Sequence, residues 1–193
     1  MKRQWLIPLA LFLLLALIAG CSTTGAPAAP DSGLTTVAPN NPPPSGNTGT
    51  IGKRTKTSGC AAHNALPDSA CTPGAIIATA TTDQICQPGY SKNVRNVTTS
   101  VKNQVYAEYG ITERATGEYE VDHLISLELG GSNAIANLWP EPAEPRPGFH
   151  EKDKVENYMH AQVCNGAISL GDAQAQIATN WLALYQRMPA SAK

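Results

Sequence analysis

Apolar positions change their spacing several times along this chain, and each change marks a different kind of element. They run almost unbroken from Leu9 to Ala19 and then nearly disappear until about Ser58, where Pro, Thr, Gly, Ser, Ala and Asn dominate. Val101, Val105 and Tyr109 recur at i, i+4 and i+8, the spacing of one helix face. Thr98 or Thr99 offers a cap at its start, and Gly110 a stop. After Gly117 the period shortens to two: Tyr119, Val121 and His123 alternate with Glu120 and Asp122, which predicts a strand. Gly130-Gly131-Ser132-Asn133 predicts a turn, and Asn137-Leu138-Trp139 a returning antiparallel strand that Pro140 should end. Helical spacing then resumes. Val155, Met159 and Val163 mark a helix that starts near Phe149 and stops at Asn165-Gly166. Ser169 and Asp172 open a last one, with Ile177, Trp181, Leu184 and Tyr185 inward. Upstream, Ile76-Ile77 suits a short strand or turn, and Cys86-Gln-Pro-Gly-Tyr90 is turn chemistry.

Composition divides the chain into three parts. Residues 1–20 carry Lys2 and Arg3, the apolar run and then small residues, the layout of a secretory signal; the run is short for a membrane span, which needs about 20 residues. Ile18-Ala19-Gly20-Cys21 is similar to a bacterial lipobox, in which the cysteine becomes the lipidated N-terminus. The resemblance implies a lipoprotein-type signal peptide over 1–20 and lipidation, such as palmitate, at Cys21. With Ser22 following, it implies an outer-membrane address facing the periplasm or the surface. Residues 21–58, with Pro42-Pro43-Pro44, are too poor in large apolar groups to offset ordering entropy and are expected to be a disordered tether. Residues 59–193 are long enough for one folded domain.

Charge and cysteines narrow the classes further. Removing residues 1–20 takes away two of 14 basic residues and none of the 15 acidic ones, moving the formal charge from −1 to −3. No global basic field remains to hold duplex DNA tightly, so any nucleic-acid contact needs a local patch. Four cysteines follow Cys21 without a Cys-x-x-Cys pair, which argues for disulfides over a zinc ribbon. Of the three pairings, Cys60–Cys71 (a local loop) and Cys86–Cys164 (entry of the domain to its last helices) are favoured.

Chemistry concentrates between Tyr119 and Pro142. Asp122-His123 joins an oxygen ligand for hard cations to an imidazole that titrates near neutral pH. Asp122-His-Leu-Ile, Gly130-Gly131 and Asn137-Leu138, followed by a helix, resemble the HNH endonucleases and their ββα-metal fold. A bacterial subgroup of secreted or lipid-anchored HNH-like proteins is more similar still. Its elements stand here as Cys86 to Tyr90, Asp122 to Gly131, Asn137 to Pro140, and Lys152-Asp153-Lys-Val-Glu156, over roughly residues 84–185.

The resemblance implies an α+β domain: a small ββα-metal core with flanking helices and disulfides. It implies metal-dependent phosphodiester hydrolysis of nucleic acid, DNA first and RNA second, with low sequence specificity. In that family the first-strand His is the base, which points to His123, and the motif's Asn, here Asn137, orients the His or braces the loop. Asp122 would hold the cation, although strand alternation sends it to the face opposite His123 unless a bulge or strand end intervenes. Aligning Lys152 with the family's lysine leaves Phe149 in the ligand slot at the helix start, where it cannot coordinate. His150, Asp153, Glu156 or Asn157 then compete for that role, with Asp153 first and His150 behind it. Mg²⁺ or Mn²⁺ suits such an oxygen-rich set, and Zn²⁺ suits it better if His150 coordinates. Lys152, Asp153 and Glu156 also read as a salt-bridged helix face. His63 and His160 lie outside the motif and receive no role. The rival reading is a non-catalytic interaction module on the same scaffold, carried by an envelope lipoprotein.

Overall fold

The computed structural model describes residues 48–193, so the signal segment, Cys21 and most of the 21–58 tether lie outside the described residues. The order of elements is β1 (Thr48–Thr50), β2 (Ala75–Ile77), α1 (Thr82–Ile85), α2 (Tyr90–Val94), α3 (Thr99–Glu108), β3 (Tyr119–His123), β4 (Leu138–Pro142), α4 (Phe149–Cys164) and α5 (Leu170–Arg187). The architecture is mixed α+β, with two small two-stranded sheets. No helix among the described residues is long and apolar enough to cross a membrane.

Folded structure begins upstream of residue 59, where composition placed the boundary. β1 pairs antiparallel with β2, and Arg54 Nε donates to the Cys71 carbonyl (2.9 Å) while its guanidinium pairs with Glu108. Composition misses this because short polar segments gain order from partners far along the chain. The cysteines pair as Cys60–Cys71 and Cys86–Cys164.

β3 and β4 pair in regular antiparallel register from Tyr119 opposite Pro142 to His123 opposite Leu138. β4 therefore runs through Pro140 and Pro142, contrary to the expectation that Pro140 ends it. The N–H of Leu124 donates to Asn137 (2.8 Å), and that of Ala143 to Glu118 (2.9 Å). Alternation then makes the even residues of β3 the hydrogen-bonded pairs. Pro140 and Pro142 fall between them, with nitrogens turned away from β3, so the missing donors cost the ladder nothing.

The hairpin separates two cores. Val121 and Leu138 pack with Val105 and Tyr106 of α3. Trp139 on the other face joins the larger core, built from Val155, Met159 and Val163 of α4 and Ile177, Trp181 and Leu184 of α5. The connection between β3 and β4 folds back through a 3₁₀ turn at Leu127–Leu129 and a left-handed Gly130 (φ 72°), and is stitched to β2 by Ile77 N–H to Gly130 C=O (2.8 Å). Thr98 and Ser169 cap α3 and α5 through their side chains.

Candidate functional site

Regular pairing to the end of β3 leaves Asp122 and His123 on opposite faces. Asp122 faces α4. There the Lys152 ammonium, fully buried, donates to Asp122 Oδ2 (2.7 Å) and to the His123 carbonyl (2.7 Å), and pairs with Glu156 one turn along. Glu141 of β4 is also fully buried, its Oε2 4.0 Å from Lys152 Nζ, and neither of its oxygens has a hydrogen-bond partner. Lys152 is thus the counter-ion of an interior acid cluster. The salt-bridged helix face expected from the sequence has its i,i+4 pair, with Lys152 fully buried.

Burial acts on every member of this cluster, and proximity to Lys152 decides the outcome. Burial pushes Asp122 upward, but the ammonium at 2.7 Å overrides it and holds the carboxyl below its ordinary range. Burial pushes Glu141 well above its ordinary value, because Lys152 is too far away to offset it fully. Burial lifts Glu156 to about 7 against the pull of Lys152. Lys152 itself is raised, because three carboxyl groups outweigh its desolvation.

His123 is buried on the other side. Its Nε2 lies 3.1 Å from Asn133 Oδ1. The Asn133 amide nitrogen donates to the Val94 carbonyl (2.7 Å), which fixes the amide oxygen as the acceptor for His123. Nε2 consequently carries the proton and Nδ1 keeps its lone pair. Burial brings the pKa of His123 down to about 4, so the ring is neutral at physiological pH.

Asn137 makes no side-chain hydrogen bond to His123. Fully buried, it braces the connecting loop: Oδ1 accepts from Ile125 N–H (2.9 Å) and Ala75 N–H (3.3 Å), and Nδ2 donates to the carbonyls of Ile125 and Ser132 (both 2.9 Å). His150 and Asp153 sit exposed on the first turns of α4, and neither is hydrogen-bonded to Asp122 or His123. The His150 ring rests 4.2 Å from that of Phe149, whose burial anchors the helix start. Asp153 nevertheless senses the site: partial desolvation of its carboxyl raises it, with the Asp122 charge next. Glu120, exposed on β3, is raised likewise by partial desolvation and then by Asp122 and Asp153. The charge of Asp122 thus reaches Glu120 and Asp153, and the charge of Arg95 bears on Glu120, Asp153 and His123.

Sequence reasoning passed over Asn133, Glu141 and Arg95. Asn133 was visible only as a turn residue, while Glu141 and Arg95 stood in no motif. The arrangement supplies a neutral imidazole with a free nitrogen, carboxyl groups that sense one another's charge, and a guanidinium whose charge reaches both.

A second group lies at the far end of α4. Cys86, His160 and Cys164 place one donor atom each within 4.8 Å of one another, so the group can hold a metal ion; here its two cysteines are joined as a disulfide. No family model matches this chain, and neither a curated protein nor a solved structure matches it.

Proposed function

We propose that this domain hydrolyses phosphodiester bonds in nucleic acid with a divalent metal ion, in the manner of an HNH-like nuclease. The observation that carries the reading is the neutral, Asn133-held His123 at the end of β3, in a strand–loop–strand–helix succession that sets Glu120 and Asp122 on the opposite face of the strand, toward α4 and Asp153. Asp122 and Asp153 offer hard oxygen donors, which fit Mg²⁺ or Mn²⁺; Zn²⁺ fits if His150 joins them. A bound cation would neutralise charge on the phosphate and lower the pKa of a water. His123 Nδ1 takes the proton of the attacking water, and Asn133 keeps the ring in the tautomer that frees Nδ1. Lys152 holds Asp122 ionised, and Arg95 supplies positive charge for a phosphate. With no global basic field, contact is local and sequence preference low, with DNA the first substrate and RNA the second.

The full chain is expected to nick plasmid DNA with Mg²⁺ or Mn²⁺ and to stop with chelator. His123→Ala should lower the rate by about 10²–10⁴-fold, the usual contribution of a general base. Cleavage at full rate in that variant would remove His123 from the mechanism.

One observation favours a non-catalytic interaction module: the Lys152 ammonium occupies an oxygen of Asp122, as an internal substitute for a metal. Absence of both divalent-ion binding by calorimetry and any cleavage would establish that reading. In either case we place the domain at a bacterial envelope through a lipid on Cys21, on the strength of Ile18-Ala-Gly-Cys21. Labelled fatty acid should enter the wild-type chain and not Cys21→Ser; an unlabelled wild type would exclude the anchor.

A further inference from the structure

The corner where α1 meets the end of α4 has chemistry that the nuclease reading does not use. Cys86 caps the C-terminus of α1, and His160 and Cys164 lie four residues apart on α4. That spacing puts both side chains on one helix face. His160 Nε2 lies 3.0 Å from the Ile85 carbonyl and 3.4 Å from Cys164 Sγ. Cys164 is exposed and Cys86 and His160 are half-buried, so a soluble reductant can reach the bond. Cys86 and His160 also line a cleft whose walls include Glu128, Gln87 and Tyr90.

We propose that this corner is a redox-gated soft-metal site: on reduction, Cys86, Cys164 and His160 bind one Zn²⁺-class cation. A dithiol supplies the two electrons. Its thiolate attacks one sulfur and expels the other; its second thiol resolves the mixed disulfide, leaving two cysteine thiols and an oxidised dithiol. The cation then takes both cysteines as thiolates, releasing two protons, with His160 as a neutral imidazole. A carbonyl only accepts, so Nε2 carries a proton in the oxidised form. Ligation through Nε2 moves that proton to Nδ1 and frees the Ile85 carbonyl. Two thiolates and an imidazole select Zn²⁺ over Mg²⁺ or Ca²⁺, and the fourth position opens on the Glu128 cleft. The ion replaces the covalent link between α1 and α4, a link that closes a sequence separation of 78 residues.

Co²⁺ is the optical probe, because its thiolate charge-transfer band is absent from purely carboxylate sites; uptake is thereby read apart from the nuclease site. The full chain carrying Cys21→Ser, reduced with a phosphine, should bind one equivalent with that band, and the oxidised chain none. Cys60→Ser/Cys71→Ser should leave the band in place, and Cys164→Ser should abolish it. His160→Ala retains all four paired cysteines, so its fold is checked before reduction; it should weaken binding by roughly tenfold or more. The proposal is overturned if the reduced chain shows no band, if the band survives Cys164→Ser, or if reduction unfolds the domain and Co²⁺ fails to restore it.

Discussion

An ammonium with no solvent exposure must be balanced where it sits, and Lys152 is balanced by Asp122, Glu156 and the His123 carbonyl, with Glu141 nearby. Removing it leaves ionised Asp122 with no counter-ion in the interior. Lys152→Ala is therefore expected to cost about 3–5 kcal/mol in denaturant unfolding, the range for breaking a buried pair. A loss below about 1 kcal/mol would mean that water replaces the ammonium and that the cluster is effectively solvated. The spacing Lys152-x-x-x-Glu156 announced one of these contacts. The others join residues 29 and 30 positions apart, and no local pattern records them. His123 and Asp122 were legible as a pair, but their partners Asn133 and Lys152 were not read as part of the site. A hydrogen bond across a loop depends on where the backbone brings the two groups.

At the scale of elements, the connection from Leu124 to Asn137 holds the end of β3 in place. A Cβ at Gly131 would collide with the carbonyl oxygens of Ile125 and Ser126. That backbone cannot yield easily, because Asn137 grips Ile125 through both its N–H and its C=O. Gly131→Ala should therefore cost about 1–3 kcal/mol, as overpacking does, and lower the melting temperature measured by circular dichroism. An unchanged melting temperature would show that the loop relaxes freely. The limits of β3 and the starts of α3 and α4 were legible because apolar period and caps are local signals. The length of β4 was not, since a proline ends a strand only when its nitrogen faces a neighbour, and register decides that.

For the whole molecule, burial of His123 and Glu156 couples stability to pH in opposite senses. The folded pKa of His123 is about 4 against an ordinary 6.5, so the unfolded chain takes the proton first. Its contribution is complete above about 6.5 and drains as pH falls toward 4. Glu156, at about 7 against 4.5, contributes fully below 4.5 and loses this as pH rises toward 7. Each has a limiting slope of roughly 1.4 kcal/mol per pH unit. In metal-free unfolding series, the stability of wild type minus Glu156→Gln should fall from pH 4.5 to 7. Wild type minus His123→Ala should rise from pH 4 to 6.5. Flat differences would mean that neither group is shifted.

The sequence by itself marked the three long helices of the domain and the strand that ends in His123, and it favoured the cysteine pairing that the structure has. Each rests on short-range spacing, capping residues or loop closure. Only the tertiary structure decided that β1 belongs to the fold and that β4 runs through its prolines. It also decided that Asp122 faces a buried lysine while His123 faces Asn133. These are outcomes of register and burial, which arise when distant segments meet.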